Sequence, residues 1–401
     1  MRILYTHNFY RQAGGEDETF ADEIRLMRAR GHSVTSFETS SAALEGRSRL
    51  IAGVEGVWSL PAARTIAERV RAERPDVVHF HNTYPVLSPA AFRAANAAGA
   101  AVVHTLHNFR HLCSHHGLYR DGRPCEDCVG ALAPWRGVVH GCNHNGRFAD
   151  AQLAVTAAVH RLAGTYARAV HRYVALTPFA RDVFVRGGLP ADRLAVLPTF
   201  VDPDPGPGPG DGGYALFVGR LTEEKGVRLL LEAWRRIGAA LPLRILGGGP
   251  LASDVAAAAA ALPGVQYLGR VERAALDDLI GSAAMLVFPS LWYEGTPRTI
   301  AEALAAGTPV VAADIGGMAA MVAPGVNGVR FRAGDADDLV RAVQTLAANP
   351  AALRAGARRS FEESYTAARH YDGLVAIYQA ALAARDAARP ATRGAAPAVQ
   401  S

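Results

Sequence analysis

The chain has 401 residues, of which 50% are hydrophobic and 20% charged, and its formal net charge is +5. This length predicts two or three globular domains, and arginines scattered without a dense basic patch argue against a nucleic-acid-binding protein. No stretch approaches the roughly 18 apolar residues of a membrane span, and the first residues lack the apolar segment of a signal peptide, so we expect a cytoplasmic protein.

The first half of the chain alternates predicted strands and helices. A strand at 2–7 leads through Gly14 and Gly15 into an amphipathic helix at 17–30, and a second strand follows at 33–37. The later predicted elements of this half are strands at 76–79, 101–106 and 173–176 and a long helical stretch at 148–171. Strand, glycine turn, helix and strand in this order form the βαβ unit of a parallel sheet. We therefore expect a Rossmann-like N-terminal domain over residues 1–201.

An insert at about 113–145 carries all four cysteines of the chain. Cys113, Cys125, Cys128 and Cys142 follow the spacing C-x11-C-x2-C-x13-C. One C-x2-C pair with two flanking thiols resembles a tetrahedral structural zinc site, which leaves no position open for catalysis. Nearby alternative ligands are His111, His115, His116, His140 and His144. The other interpretation is four buried free thiols, since disulfides are rare in a reducing compartment. We expect a structural zinc ion.

Residues 202–213, with the sequence DPDPGPGPGDGG, form the clearest boundary in the chain. Alternating Pro and Gly disfavours both helix and sheet pairing, so we expect an interdomain linker. The alternation of elements resumes after it. Strands are predicted at 214–219, 243–246, 265–268, 285–289, 309–313 and 328–331, and helices at 226–237, 273–280, 299–306 and 351–385. This pattern predicts a second Rossmann-like domain at 214–385 and a disordered tail at 386–401. The fold class is then α/β, with two doubly wound domains facing across a cleft.

The first candidate binding segment is GRLTEEKG at residues 219–226. It ends a predicted strand and opens a helix, whose N-terminal N–H groups and dipole favour anions. Arg220 and Lys225 add two cations there, which suits a diphosphate. The alternative is a pair of solvated basic residues in a loop.

The second segment follows the strand at 285–289. Glu294 lies in the loop and Glu302 lies inside the next helix, while Gly295 lets a ligand approach the backbone. Two carboxylates here can accept hydrogen bonds from the hydroxyl groups of a sugar and a ribose. In the alternative interpretation, Glu294 balances the helix dipole and Glu302 is a surface charge. The apolar neighbours of Glu302 favour burial, and a buried carboxylate needs a partner.

These two segments resemble the signature of family-4 glycosyltransferases of the GT-B fold. That family carries a G-R-x4-K-G loop and an E-x7-E motif within E-G-x-P…E-A-x-A-x-G-x-P-V-V, which this chain matches at residues 219–226 and 294–311. The resemblance extends over about residues 1–385. It implies retaining transfer of a sugar from a UDP- or GDP-type nucleotide sugar to a glycan or lipid-linked acceptor in polysaccharide biosynthesis, with no metal cofactor required for catalysis.

The resemblance also implies a role for each matching residue. Arg220 and Lys225 bind the donor diphosphate and stabilise charge on the leaving phosphate, and Glu294 binds sugar hydroxyl groups. The other donor-binding residues are Gly219, Gly295 and Thr296, which offer backbone, and Glu302, which binds the ribose.

In the N-terminal domain, the resemblance implies that Gly14 and Gly15 form a glycine loop near the diphosphate and the acceptor. His107 corresponds to a histidine that faces the transferred sugar. Family members often carry Asp after this histidine, whereas this chain carries Asn108, so the orientation of the imidazole by a neighbouring carboxylate is in question. Candidates for the acceptor side are His79, His81 and Asn82.

Several alternatives remain open at this point. The alternatives are a sugar-nucleotide epimerase of the same fold, a non-catalytic protein that binds sugar nucleotides or glycans, and a module whose zinc-stapled insert mediates interactions. A lipid-linked acceptor makes peripheral contact with the inner face of the membrane an option. Arg161, Arg168 and Arg172 beside apolar residues are compatible with a basic amphipathic helix on anionic lipid, but we favour an ordinary packed surface helix.

Overall fold

The computed structural model describes residues 1–10 and 14–388, which form two parallel six-stranded sheets flanked by helices. The strands described are β1 (Arg2–Phe9), β2 (Ser33–Ser40), β3 (Val77–Phe80), β4 (Ala101–Leu106), β5 (Tyr119–Arg120), β6 (Arg123–Pro124), β7 (Arg172–Ala175), β8 (Leu194–Val196), β9 (Ala215–Val218), β10 (Leu243–Leu246), β11 (Val265–Gly269), β12 (Met285–Phe288), β13 (Val310–Ala313) and β14 (Gly328–Phe331). The α-helices described are α1 (Gly15–Ala29), α2 (Arg49–Val57), α3 (Leu60–Glu73), α4 (Ala90–Ala97), α5 (Trp135–His140), α6 (Arg147–Leu162), α7 (Thr165–Arg168), α8 (Pro178–Arg186), α9 (Val227–Ile237), α10 (Ala252–Ala261), α11 (Arg273–Ser282), α12 (Arg298–Ala305), α13 (Gly316–Met321), α14 (Ala336–Ala347), α15 (Ala351–Ser364) and α16 (Ala367–Ala388).

Both sheets have the strand order of a doubly wound fold, which confirms the expected fold class. The N-terminal sheet has the order β2-β1-β3-β4-β7-β8, and the C-terminal sheet has the order β11-β10-β9-β12-β13-β14. The named pairs within both sheets are parallel. In each sheet the winding reverses beside the first strand of the domain, β1 or β9. Loops at the carboxyl ends of the strands there form the usual binding crevice.

The central strands are the ones that the sequence identifies most directly. Every residue of β3, β4, β12 and β13 is buried, because helices cover both faces of a parallel sheet. Such strands are continuous apolar runs. The edge strand β8, only three residues long, and the helices α2, α3, α4, α8, α10, α13 and α14 were not specified by the sequence analysis.

The predicted helix at 148–171 is wrong as a single element. Helix α6 ends at Leu162, and Gly164 has a left-handed backbone with φ 66° before the short helix α7 begins. The predicted helix at 351–385 is likewise two helices. Helix α15 ends at Ser364, and the Thr366 hydroxyl accepts from the Arg369 N–H at 3.3 Å, as a residue that caps a helix N-terminus does.

The proline- and glycine-rich segment at 202–213 lies along the C-terminal domain. The N–H groups of Gly208 and Gly210 donate to the carbonyl oxygens of Ala306 and Gly281 at 2.9 and 3.0 Å. Arg358 pairs with Asp204 at 2.7 Å. Backbone groups that cannot join a regular ladder thus find partners on the neighbouring domain.

The last helix, α16, packs on the N-terminal sheet, although the sequence analysis counts residues up to 385 with the C-terminal domain. Leu374, Ile377, Tyr378 and Ala381 recur at helical spacing and are buried in the same cluster as residues of β1 and β3. Residues 386–388 of the predicted disordered tail belong to this helix, and residues 389–401 lie outside the described residues. None of the helices described is both long and apolar enough to cross a bilayer.

Candidate functional site

The carboxyl edges of the two sheets meet across a cleft, and the loop after β12 joins them. The Thr296 hydroxyl donates to the carbonyl oxygen of Leu176, after β7, at 2.8 Å. A Cβ added at Gly295 would lie 3.4 Å from the carbonyl oxygen of His107, after β4. The loop expected to contact the sugar therefore lies directly against the N-terminal domain.

Lys225 and Glu294, both predicted to contact the donor, form an ion pair. Lys225 Nζ donates to Glu294 Oε1 at 2.6 Å, and the same oxygen accepts from the Ser290 hydroxyl at 2.8 Å and the Trp292 indole at 2.6 Å. Burial raises the pKa of Glu294, but the Lys225 ammonium and these hydrogen bonds outweigh burial and lower it overall. Lys225 is also the only lysine in the chain.

Gly226 explains how Lys225 comes so close to Glu294. Its backbone is left-handed, with φ 72°, and precedes α9. A Cβ at this position would overlap the carbonyl oxygen of Pro289, which follows β12. Only glycine allows the loop after β9 to press against the end of β12, and the ion pair follows from that contact.

Arg220 and Gly219 lie in the same loop. The Arg220 side chain is exposed and, among the described residues, forms no ion pair or hydrogen bond. It is therefore available to an anionic ligand. The Gly219 N–H donates to the Leu246 carbonyl oxygen at 3.1 Å, so Gly219 shapes the turn and offers no free N–H.

Glu302 is a buried carboxylate with two arginine partners. Its Oε1 accepts from Arg273 Nη1 at 2.6 Å and from Arg298 Nε at 3.0 Å. Arg298 also reaches the N-terminal domain, where its Nη1 lies 2.6 Å from Asp22 Oδ2 on α1. The surface-charge interpretation of Glu302 is wrong, because the side chain is only 6% exposed. Arg298 thus links Glu302, the residue predicted to bind the ribose, to the opposite domain.

Gly14 and Gly15 begin helix α1. The Gly14 N–H donates to Asp17 Oδ2 at 2.9 Å, and Asp17 Oδ1 lies 2.6 Å from His7 Nε2 at the end of β1. A Cβ at either glycine would meet no described atom within 4 Å. Packing within the described chain does not require these glycines, and no atom of the described residues fills the space beside them.

His107 follows β4 and is held by another histidine. Its Nε2 lies 2.9 Å from Nδ1 of His81, which follows β3. Asn108 instead donates to Glu16 Oε2 at 3.3 Å. Burial and the neighbouring His81 lower the pKa of His107 well below its usual value. The imidazole is thus oriented from the side of β3 rather than by the residue that follows it.

The three acceptor-side candidates separate in the structure. His81 and Asn82 line a cavity beside His107, but His79 does not. Both ring nitrogens of His79 are committed at 2.8 Å, Nδ1 to Tyr378 and Nε2 to Thr105. The prediction for His79 is therefore wrong, because this residue belongs to the core under α16. The other residues lining the cavity include Thr83, Tyr84, Thr105, Asn108, Arg110, His111, Leu153 and Thr156.

The four cysteines line one small cavity in the insert. All four are free thiols, and Cys113 is buried. Within the described chain, the group whose potential ligand atoms all lie within 4.8 Å of one another is Glu23, His79 and His81, and no three of the thiols meet that limit. The cysteines therefore surround a common centre without being tightly converged on it.

The insert touches the loop that carries Glu294. A Cβ at Gly117 would overlap the Trp292 ring, and the His116 ring lies 5.7 Å from that ring. Glu126, between Cys125 and Cys128, pairs with Arg186 at 2.5 Å. Burial and Glu126 together raise the pKa of Tyr293 to about 12. The insert thus packs on the two residues that precede Glu294.

Several residues of this site are not predicted from the sequence. Arg298 lies one helical turn before Glu302, a spacing that could have indicated an ion pair. Glu23 and His370 had no such signal. Only the fold brings Glu23 to His81 and His370 to Glu23. Glu23 Oε1 lies 3.1 Å from His370 Nε2.

Two families match the chain in succession. Residues 13–205 match the family described as Glycosyltransferase Family 4, and residues 212–349 match the one described as Glycosyl transferases group 1. Alpha-maltose-1-phosphate synthase of Mycolicibacterium smegmatis is 30% identical over 298 residues, which cover 67% of this chain and 76% of that protein. The protein of the same name from Mycobacterium tuberculosis is 34% identical over 168 residues, 37% of this chain. The chain spans only 43% of the length of that second relative.

Solved structures share the architecture at low sequence identity. The complex of Anabaena Alr3699/HepE with UDP has a TM-score of 0.64 at 17% identity and covers 94% of this chain and 98% of that one. Sucrose-phosphate synthase from Thermosynechococcus elongatus has a TM-score of 0.69 at 16% identity and covers 96% and 99%. These likenesses establish the GT-B fold.

Proposed function

Because the chain belongs to glycosyltransferase family 4, we propose that it transfers a sugar from a nucleotide-diphosphate donor to a glycan or lipid-linked acceptor with retention of configuration. The observation that carries the proposal is the Lys225–Glu294 ion pair, 2.6 Å long, in the loop that faces His107 across the cleft. A cation and a carboxylate side by side match a leaving phosphate and a sugar hydroxyl group.

The donor diphosphate binds at Lys225 and Arg220 in this proposal. Cleavage of the sugar–phosphate bond leaves negative charge on the diphosphate, and fixed cations at that point stabilise the transition state. Lys225 then shares its charge between Glu294 and phosphate, while the exposed Arg220 supplies a cation without another partner among the described residues. No metal cofactor is needed for this step, because the two side chains supply the positive charge.

The sugar and the ribose bind at the two carboxylates. Glu294 accepts from sugar hydroxyl groups, and the N–H groups of Gly295 and Thr296, which form no hydrogen bond within the described chain, face the sugar and the phosphate. Glu302, held by its two arginines, accepts from the ribose. Retention follows from attack on the face that the phosphate leaves, with the phosphate taking the proton of the acceptor hydroxyl group.

A binding screen tests the donor site. UDP is the first nucleotide to try, because a protein of the same fold has been solved with it, and GDP and ADP are the alternatives. We expect one nucleoside diphosphate to raise the thermal midpoint of the protein and Lys225→Ala to abolish that effect. Arg235→Ala, at an exposed arginine of α9, is the matched control. No stabilisation by any nucleotide would favour a non-catalytic protein, and a C2-epimerised donor as product would favour the epimerase.

We also propose that Cys113, Cys125, Cys128 and Cys142 hold a structural zinc ion. Their common cavity and their free state support this role, since four thiolates match the ligand preference of zinc. We expect about one zinc per chain by elemental analysis, and less in Cys128→Ser, together with a lower thermal midpoint. Full zinc content in the variant would contradict the assignment.

Peripheral contact with an anionic membrane is the third part of the proposal. Helices α2, α5 and α6 pack together. They expose eight large apolar side chains, Leu50, Ile51, Val54, Trp135, Val139, Phe148, Val155 and Leu162. Exposed Arg136 and Arg147 adjoin Trp135 and Phe148, which suits an anionic lipid surface. Arg161, considered for this role from the sequence, instead donates to the carbonyl oxygen of Ala131.

Vesicle flotation tests that surface. Phe148→Asp should reduce binding to vesicles of phosphatidylcholine and phosphatidylglycerol several-fold, because it places a negative charge, which anionic lipid repels, in the apolar patch. Val326→Asp, at an exposed apolar residue of the C-terminal domain, should not. Equal binding by the wild type and Phe148→Asp would contradict this part of the proposal.

A further inference from the structure

A cluster of buried titratable side chains lies behind His107 and is not used by the proposed donor chemistry. Glu23 of α1 is only 2% exposed and is surrounded by His79, His81 and His370. An ionised carboxylate in such a place is unfavourable unless its neighbours compensate it, so its contacts with the three histidines are essential to its burial.

We propose that Glu23 is a positioning residue which, through His81, fixes the orientation and the protonated nitrogen of His107. This inference rests on the proposed function, because it assigns His107 the task of accepting a hydrogen bond from a substrate hydroxyl group with Nδ1. It names a carboxylate for a role that Asn108 cannot perform.

The three side chains form a continuous line. Glu23 Oε2 lies 3.3 Å from His81 Nε2, within ion-pair distance, and neither of these buried atoms has a hydrogen-bond partner among the residues described. His81 Nδ1 lies 2.9 Å from His107 Nε2, and the two rings are stacked with centroids 5.0 Å apart. The line begins inside the N-terminal domain and ends at the cleft.

The electrostatics of these contacts then select the tautomers. At 3.3 Å the lone pair of an unprotonated Nε2 would repel the carboxylate oxygen, so Glu23 favours the His81 tautomer that carries its proton on Nε2. A neutral His81 therefore presents a bare Nδ1, which accepts from Nε2–H of His107. Burial lowers the pKa of both histidines, which favours these neutral forms. His107 is left with an unprotonated Nδ1 as its free acceptor.

His370 is the second partner of Glu23. Its Nδ1 lies 2.9 Å from the Pro198 carbonyl oxygen and its Nε2 lies 3.1 Å from Glu23 Oε1. Burial raises the pKa of Glu23, but the neighbouring His81 and His370 outweigh burial and lower it well below its usual value. The last helix of the chain thus supplies one of the partners of the buried carboxylate.

A metal ion is a weaker interpretation of the same cluster. Glu23, His79 and His81 have ligand atoms within 4.8 Å of one another. Both nitrogens of His79, however, are already bonded to Tyr378 and Thr105. Only two ligands remain, which is too few for a stable site without waters in a fully buried position.

Nitrogen-15 NMR of the histidine rings tests the proposal without any substrate, so its outcome is independent of the donor assignment. The signal of His107, identified by its loss in His107→Gln, should show a neutral ring protonated on Nε2. In Glu23→Gln it should become a mixture of tautomers, while Asp254→Asn, at an exposed carboxylate, should change nothing. A wild-type His107 protonated on Nδ1, or a Glu23-dependent bound metal, would overturn the proposal.

A double-mutant cycle provides the functional readout. Glu23→Gln should lower kcat by about 10- to 100-fold with a small change in the KM of the donor, because orientation for the reaction is lost and donor contacts are kept. In a His107→Gln background the same substitution should lower kcat no further. A full additional loss in that background would show that Glu23 acts by another route.

Discussion

At the scale of single residues, Lys225 is the centre of the proposed donor site. Lys225 is the only lysine in the chain, and its compact ammonium lies 2.6 Å from Glu294 Oε1. The short motif around it could be predicted from the sequence, because a strand, a loop and a helix N-terminus follow one another within a few residues. Its contact with Glu294, 69 positions away, follows from the adjacency of β9 and β12.

Removing the lysine should affect the reaction more than the fold. We expect Lys225→Ala to lower kcat by about 100- to 1,000-fold, the usual loss when one fixed donor to a developing negative charge is removed. Lys225→Arg should recover only part of that loss, since the planar guanidinium does not fit the ammonium position. Steady-state kinetics with the donor identified by the binding screen measures both, and wild-type rates for Lys225→Ala would refute the role.

The Lys225–Glu294 pair should also make stability depend on pH. The folded-state pKa of Glu294 is lowered below the ordinary carboxyl value of 4.5. The contribution of the ionised carboxylate is therefore fully present above that value and is lost as pH falls below it through the folded-state pKa. The difference in unfolding free energy between wild type and Glu294→Gln should shrink between about pH 5 and pH 3 in urea titrations. Glu363→Gln, at an exposed carboxylate, should show no such trend.

Other residues of the site were beyond the reach of sequence reasoning. Glu23 lies on a helix face among apolar and acidic neighbours, and nothing in its local pattern indicates contact with His370, which is 347 positions away. Its partners are assembled by sheet order and by the return of the last helix. The resemblance to the family directed attention to residue 108, whereas the side chain in contact with the His107 ring is His81.

At the scale of elements, α16 shows how a helix can belong to one domain in sequence and to the other in space. Its apolar residues were periodic enough to predict a helix, but periodicity does not say which sheet a helix covers. Buried Leu374 packs in the same cluster as Ile3 and Val77. The helix therefore ties the C-terminal end of the chain to the N-terminal core.

Shortening a buried side chain of this helix should destabilise the N-terminal domain. Leu374→Ala removes a fully buried side chain, so we expect a loss of about 2–5 kcal/mol in the free energy of unfolding. Leu162→Ala, at a leucine that is 75% exposed on α6, should cost far less. Chemical denaturation followed by tryptophan fluorescence compares the two, and an equal loss in both variants would contradict the packing described.

At the scale of the whole molecule, the two sheets were predictable and their contact was not. Each sheet is built from buried apolar runs that sequence records directly, while the interface depends on single polar contacts. Arg298 is the clearest case, since it touches Glu302 in its own domain and Asp22 in the other. The linker at 202–213 was also not fully predictable, because its proline- and glycine-rich sequence disfavours regular structure and yet its backbone is hydrogen-bonded along the C-terminal domain.

Loss of Arg298 should therefore be felt in both domains. Arg298→Ala leaves two buried carboxylates with fewer partners, and removing one partner of a buried pair typically costs about 3–5 kcal/mol. We also expect weaker nucleotide binding, because Glu302 loses its orientation. Arg330→Ala, which breaks the partly exposed pair with Asp314, is the control and should have a small effect on both readouts. Unchanged stability and affinity in Arg298→Ala would show that the interface does not depend on this residue.

The central claim, that a nucleotide-diphosphate sugar binds with its phosphates at Lys225, is tested most directly by NMR of protein labelled with ε-¹³C lysine. A single lysine gives a single resonance, so no assignment is needed. The account predicts that this resonance shifts on titration with UDP, or with GDP if that is the true base, and shifts less with the corresponding nucleoside monophosphate. A nucleotide diphosphate that binds by calorimetry but leaves the lysine resonance unmoved would contradict the account.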